Sequence, residues 1–362
     1  MSYSPSGPDK FILLRRKPRA FKLKDERAGR GGDEHRIAGF SAPEDSANRR
    51  METPAFRPES FIPAVSVVIV AYNHAEYIGQ AIQSVLDQTF GDFEVVVFDD
   101  GSRDNTKDVV ASFHDERIKY YRQENSGLPA KGRNAGMRLA RGRYIALMDG
   151  DDFWYKEKLD KSIRALDTMK DVSLICHNED IIYGTRILPH KSYGPYRADM
   201  YSSLLFNGNC LHSSAVTIRR EVFFDDGMRF CEDKDLFAIE DYEYWMRLSR
   251  RYKFYFLPDR LGCYRVIDKG AFLSSNETNT KNLLCLLERH FSKLNRQDDK
   301  FRAMARRRRS SVMCAAGRMQ QHKANFKESG RWYIMALREY PFNYKALIGL
   351  ALSTLRIKLF YG

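Results

Sequence analysis

The feature that most narrows the fold begins at Val65, where a strand-like run gives way to a helix-like one and the pattern then repeats. AVSVVIVAYN holds an almost unbroken apolar, β-branched stretch from Val65 to Ala71, as a strand buried on both faces requires. Behind it Tyr77, Ile78, Ala81, Ile82, Val85 and Leu86 recur at helical spacing. FEVVVFDDGS and RDNTKDVVASF repeat the pair, IKYYRQ and PAKGRNAGMRLAR repeat it again, and RYIALMD supplies a fourth strand. Buried strands joined by helical crossovers imply a parallel sheet with right-handed connections. Ligands of such sheets bind at the carboxyl ends of the strands. Those ends carry Tyr72 and Asn73, Asp99 and Asp100, and Asp149 to Asp152.

The last of these ends is the sharpest. Ile145 to Met148 reads as a buried strand, yet Asp149, Asp151 and Asp152 crowd at its end, where their charges repel. Folding alone gives no reason for the cluster; holding a cation or a reacting group does. Two phosphate-binding loops are excluded. A dinucleotide site needs GxGxxG straight after the first strand, and AYNHAEYIG has no glycine in that turn. The P-loop pattern GxxxxGK with Ser or Thr does not occur. A divalent cation bridging carboxylates and a diphosphate is then the direct alternative, and hard oxygen ligands suit Mg²⁺ or Mn²⁺.

After Asp152 the alternation loosens. LDKSIRALDTM reads as a helix, VSLICH and EDIIYG as strands, SSAVTIRREVF as a strand turning into a helix, and AIEDYEYWMRLSRR as a helix. FYFLP and GCYRV read as two more strands, and from about Asn279 the signal is helical only, with Pro341 at the turn of a final helix pair.

Taken in order, VSVVIVAYNHAEYIGQAIQSVLDQTFGDFEVVVFDDGSRDNT, NSGLPAKGRNAGMRLARGRYIALMDGDD and IEDYEYWMRL resemble the family 2 glycosyltransferases of GT-A fold. The resemblance covers roughly Pro63 to Val266, and its weight lies in several motifs in one order, because a lone DxD recurs by chance. It implies an α/β fold, a mostly parallel Rossmann-like sheet flanked by helices, with a C-terminal helical extension outside the matched part. It also implies roles. Tyr72 lies beside the nucleotide base, and Asp100 accepts a hydrogen bond from it. A carboxylate can take the imide N–H of uracil, so Asp100 points to a uridine or thymidine donor. Arg133 lies near the base or the diphosphate. Asp149 faces the ribose or the metal, and Asp151 ligates the metal. Asp241, the second acid of the ED pair, is the base that deprotonates the acceptor hydroxyl, with inversion at the anomeric carbon. Glu240 supports the acceptor or the helix start. Trp154, beside the acids, belongs to the acceptor pocket or its support. The partners implied are a nucleotide-sugar donor and a saccharide or lipid-linked saccharide acceptor, as in surface polysaccharide or glycoconjugate synthesis.

Several residues invite plainer readings. Asp104 reads as a helix cap, Asp99 as structural, and His177 as a buried structural histidine. His212 fits either an acceptor pocket or a backbone partner, and Asp152 receives no role. Acids at 240 and 241 also suit a helix N-terminus on electrostatic grounds alone, worth about 0.3–1 kcal/mol.

The expected organisation is a disordered basic tail over 1–60, the glycosyltransferase domain over 61–270, and a helical extension over 271–362. With 43% hydrophobic and 30% charged residues the chain can build a core, and its formal net charge of +13 favours anionic partners. Four arginines in a row, Arg306 to Arg309, surround a whole helical turn and form no single stripe. No nucleic-acid recognition module accompanies them, so no nucleic acid is expected. Peripheral contact with an anionic membrane explains the same charge. Six scattered cysteines with no CxxC pair read as reduced thiols, which places the chain in the cytoplasm or on the cytoplasmic membrane face. Two other functions compete: a nucleotidyltransferase, which ordinarily needs a Gly-rich basic loop after the first strand, and a non-catalytic protein binding nucleic acid or a membrane surface.

Overall fold

The computed structural model describes residues 62–267, 276–294 and 298–359. The anticipated tail over 1–60 lies outside the described residues. β1 (Val65–Ala71) is flanked by β2 (Phe93–Asp99) and β4 (Tyr144–Asp149), and β3 (Ile118–Arg122) lies beyond β2, all parallel. The crossovers are α1 (Ile78–Leu86), α2 (Thr106–Ala111) and α3 (Pro129–Leu139). β1 is apolar on both sides because both are covered. Val65, Val67 and Ile69 share a core with α1 and with Leu159 and Ile163 of α4 (Lys158–Thr168). Val68 joins a second core with Met137 of α3 and Tyr244 of α7 (Glu240–Leu248).

The second half of the sheet is made by β5 (Phe153–Trp154), β6 (Val172–Tyr183), β7 (Arg186–Lys191), β8 (Val216–Arg219) and β9 (Lys253–Val266). The order across the sheet is β3-β2-β1-β4-β8-β6-β9-β5, with β7 on β6. β8 runs antiparallel to both β4 and β6, so it joins two parallel blocks, β3-β2-β1-β4 and β6-β9. α5 (Met200–Asn207) and α6 (Arg220–Phe224) flank β8 in sequence.

The segments that read as four separate strands are two long ones. β6 runs through VSLICH and EDIIY without a break, and β9 continues across Pro258. Proline lacks the N–H a ladder needs, so the register shifts there, between His177 and Glu179 on one strand and Leu257 and Gly262 on the other. The Asn178 side chain bridges the irregularity: its amide donates to the Pro258 carbonyl at 2.9 Å and its oxygen accepts from Tyr193 N–H at 2.8 Å. A side chain does here what the backbone ladder cannot.

The helical extension consists of α8 (Asn276–Lys293), α9 (Asp299–His322), α10 (Phe326–Glu339) and α11 (Tyr344–Thr354). Phe291 of α8 and Phe301 of α9 pack on Phe206 of α5, with ring centroids 5.8 and 5.9 Å away. The first part of the extension therefore shares the core of the sheet, while Cys314, Tyr333, Ala336 and Ala346 of the last three helices form a small core of their own. The arginine run divides around α9. Arg306 donates to the Glu339 carbonyl, Arg309 pairs with Glu339 and Glu288, and Arg308 reaches the Tyr242 hydroxyl on α7 at 3.5 Å. The six cysteines are unpaired, and among the described residues no helix is long and apolar enough to cross a membrane.

Candidate active site

Every site residue anticipated from the sequence stands at or near the carboxyl rim of β1, β2 and β4, or on the helices facing it. Tyr72 follows β1 and is exposed. Asp100 follows β2 and is buried, its carboxylate accepting from Gln123, from the Ser126 backbone N–H at 3.2 Å and from the Ser126 hydroxyl at 2.9 Å. Gly101 must be glycine: its φ is +80°, and a Cβ there would lie 2.4 Å from the Asn125 backbone nitrogen. The β1 and β2 rims are tied together. Asn73 N–H donates to the Ser102 hydroxyl at 2.9 Å, and the Asn73 side chain accepts from Arg103 N–H at 2.8 Å. Asp104 caps the start of α2 through Thr106 N–H and also accepts from Ala75 N–H across the rim. Asp99 accepts from Ser102 N–H and the Tyr120 hydroxyl, which is structural work.

Arg133 is the hinge pin of the site. From α3 it donates one nitrogen to Asp149 Oδ1 at 2.8 Å and another to Glu240 Oε1 at 2.5 Å, so the DxD segment and the ED pair share one buried guanidinium. Burial opposes its charge, but Asp149, Glu240 and Asp241 hold the proton on firmly. The Asp149 carboxyl shows the reciprocal effect. Burial pushes it up, and Arg133 and His212 outweigh burial to hold it below its usual range. Asp241 goes the other way: burial, with the charge of Asp149, raises it from its ordinary value despite Arg133 and His212. Its oxygens accept from its neighbour Tyr242 N–H at 2.6 Å and, more loosely, from Asn209 at 3.4 Å.

Around the three acids the geometry adds residues to those named from the sequence. Donor atoms of Asp149, Asp152 and His212 all lie within 4.8 Å of one another. His212 Nε2 is 4.0 Å from Asp149 Oδ2 and 3.9 Å from Asp152 Oδ2, and its Nδ1 faces Glu179 Oε2 at 2.9 Å. Asp151 is not in this group; its carboxyl is raised by burial, with the charge of His74 opposing. The reason lies in the turn. Asp152 is drawn inward by the Ser214 hydroxyl at 2.6 Å and by Arg265 N–H at 2.8 Å, while Asp151 contributes its carbonyl to Arg265 Nε. Ser214 also accepts from Asp149 N–H at 3.0 Å, so one hydroxyl fixes both acids.

Burial and the adjacent Asp151 charge push the Asp152 carboxyl well up. Burial acts against the His212 imidazolium, but Glu179, Asp152 and Asp149 raise it to about 10. Glu179 is fully buried, bonded also to the Tyr193 hydroxyl at 2.7 Å; burial would raise it, and His212 holds it down. Trp154 is buried, its ring N–H donating to the Ser214 carbonyl at 2.7 Å and the Lys158 ammonium stacked 3.7 Å from its ring centre. It is the wall behind the acids.

Of the residues the sequence reading passed over, Glu179 left a faint trace, as an acid at the head of the strand-like run EDIIYG. Ser214 and Arg265 left none, because both act through folds of the chain distant in sequence.

With this geometry in hand, the chain can be set beside known proteins. A family model described as Glycosyl transferase family 2 matches residues 66–225. Residues 66–225 are a family 2 glycosyltransferase domain. An uncharacterized glycosyltransferase of Nostoc sp. is 38% identical over 167 residues, 44% of this chain and 51% of that one. The chain thus spans about half the length of that relative. A putative teichuronic acid biosynthesis glycosyltransferase, TuaG of Bacillus subtilis, is 43% identical over 104 residues, 28% of this chain and 41% of that one. Among solved structures, S. aureus TarS 1-349 in complex with UDP-GlcNAc superposes with a TM-score of 0.57 at 17% identity, covering 82% of this chain and 93% of the other. At that identity the likeness speaks for the fold: the family 2 domain is built on a GT-A sheet.

Proposed function

We propose that this protein is an inverting glycosyltransferase moving a sugar from a nucleoside diphosphate, UDP, to a hydroxyl of a saccharide or lipid-linked saccharide. The observation that carries the reading is the single buried arginine joining Asp149 to the ED pair, which sets a cation-binding rim and a raised carboxyl side by side.

The rim fits a divalent metal. Two carboxylate oxygens and an imidazole nitrogen converge, a donor set suited to Mn²⁺ or Mg²⁺. The histidine is oriented from behind by Glu179, as metal-ligating histidines usually are. Asp149, Asp152 and His212 would hold the ion, Asp152 and His212 giving up their protons as it binds, with Asp151 as the further candidate from the DxD pattern. When bound, such an ion offsets the charge that grows on a departing diphosphate.

The chain's own residues do the rest. Tyr72 and Asp100 border the nucleoside end, and the carboxylate of Asp100 can accept the imide N–H of uracil. Asp241 takes the proton of the acceptor hydroxyl. The hydroxyl oxygen bonds to the anomeric carbon as the bond from that carbon to the β-phosphate oxygen breaks, and the nucleoside diphosphate leaves from the opposite face. A carboxyl raised by burial is a stronger base than an exposed one, which suits this task. Glu240 keeps Arg133 charged and in place, and Arg133 in turn fixes the start of α7. TuaG is named for teichuronic acid biosynthesis and TarS was solved with UDP-GlcNAc, which favours a uridine donor and a cell-surface polysaccharide as acceptor.

The test is product analysis with a panel of UDP-sugars, with Mn²⁺ and with chelator. Free nucleoside diphosphate formed only with metal supports the reading. Pyrophosphate as product would establish nucleotidyl transfer instead.

A further inference from the structure

α11 is built inside out. Its buried positions are Ala346, Gly349 and Ser353, a narrow stripe of small residues. A Cβ on Gly349 would meet the Tyr333 ring at 2.3 Å, so this stripe is pressed against α10. Leu350 packs beside this stripe, but the other large apolar side chains in the helix and at its two ends are turned largely outward. Phe342 is 80% exposed, Tyr344 65%, Leu347 59%, Ile348 55% and Leu355 69%. A helix on a globular surface ordinarily does the reverse. The charge around this face has one sign: from residue 341 to 362 the sequence holds Lys345, Arg356 and Lys358 and no Asp or Glu. All three cations are exposed.

We propose that α11 seats this protein on an anionic lipid surface, with Leu347, Ile348 and Leu355 entering the acyl boundary and the three cations among the headgroup phosphates. Apolar residues on one side with basic residues at their edge are the marks of a helix lying in the membrane plane. Phe342 and Tyr344 supply rings of the kind that settle at headgroup depth. At about 16 Å long the helix is too short to span a bilayer, so it lies flat. A second copy of the chain fits less well. A face roughly 16 Å by 10 Å offers about 160 Å², well below the roughly 800 Å² per partner of a stable dimer. Self-association would also set like charges against one another. The inference needs neither the metal nor the donor, so it stands or falls apart from the proposed chemistry.

The test is cosedimentation of the full chain with vesicles of phosphatidylglycerol and phosphatidylethanolamine, against vesicles of phosphatidylcholine alone. The anionic vesicles retain the protein, and raised salt weakens retention. Leu347→Glu with Ile348→Glu abolishes it, and Arg356→Glu with Lys358→Glu lowers partitioning about ten-fold or more. Thermal melts of these variants match the unaltered protein, because every changed side chain is exposed. Equal retention on both vesicle types overturns the proposal, as does retention that survives the Leu347→Glu, Ile348→Glu pair. A concentration-dependent dimer that this pair dissolves, without vesicle binding, overturns it in favour of a self-interface.

Discussion

At the rim of the sheet, Arg133, Asp152, Glu179 and Glu240 are buried and each is met by a specific partner; in α11 the buried residues are Ala346, Gly349 and Ser353, while Leu347 and Ile348 face outward. The first region buries what is costly to bury, and the second exposes what is costly to expose. Burying charge is tolerated only where opposite charges and hydrogen bonds answer it. At the rim they come from α3, α7, β6 and the turn before β8, brought together by the sheet. Among the described residues the apolar area of α11 has no such cover, which is the ground for the proposed lipid contact. The two regions thus differ in where their unfavourable groups find partners: at the rim mostly within the molecule, at α11 on the proposed lipid surface.

The largest effect belongs to Asp241. Asp241→Asn lowers transfer by about 10²–10⁴-fold, the range of general base catalysis, while leaving donor affinity unchanged. Parallel loss of donor binding, read by calorimetry with Mn²⁺, would break the division between base and rim. Next is the cation site. Glu179→Gln, which weakens the hold on His212 without removing its bulk, lowers Mn²⁺ affinity roughly 10–100-fold. Asp152→Asn lowers it more than Asp151→Asn does; the reverse order would make the DxD pattern, and not the converged group, the better guide.

Smaller effects probe the helices. Gly349→Ala drives a methyl into the Tyr333 ring and destabilises the protein by about 1–3 kcal/mol in a denaturation curve, with transfer rate unchanged below the transition. The smallest is a pH effect at the junction of α5 and α8. His290 faces the Tyr201 hydroxyl at 2.9 Å. Burial, with Lys293, Arg250 and Arg247 near, lowers the imidazole to about 4. The unfolded chain binds its proton near the ordinary value of about 6.5. This contribution to stability is therefore full above about 6.5 and is lost as the pH falls toward about 4. Melts at a series of pH values show a slope in that window, and His290→Gln flattens it.

Much of the family 2 domain was legible in the sequence. The β1-to-β4 alternation follows from side-chain periodicity, which is local, and it puts Asp100 and Asp149 at one rim; the place of Asp241 on α7 was implied by the resemblance alone. The break at Pro258 misled for the same reason: a local rule stopped the strand, and Asn178, eighty positions away, carried it on. What only the tertiary structure decided is which acids converge. Asp151 and Asp152 are neighbours with the same chemistry, and the Ser214 hydroxyl, from the turn before β8, and Arg265 N–H, from β9, choose between them. The inversion of α11 was hidden likewise, since composition shows an apolar helix but only packing against Tyr333 shows which side is buried. Periodicity belongs to the chain, whereas partners belong to the fold: a hydrogen bond or a packed ring depends on distance in space, and sequence order alone does not fix that distance.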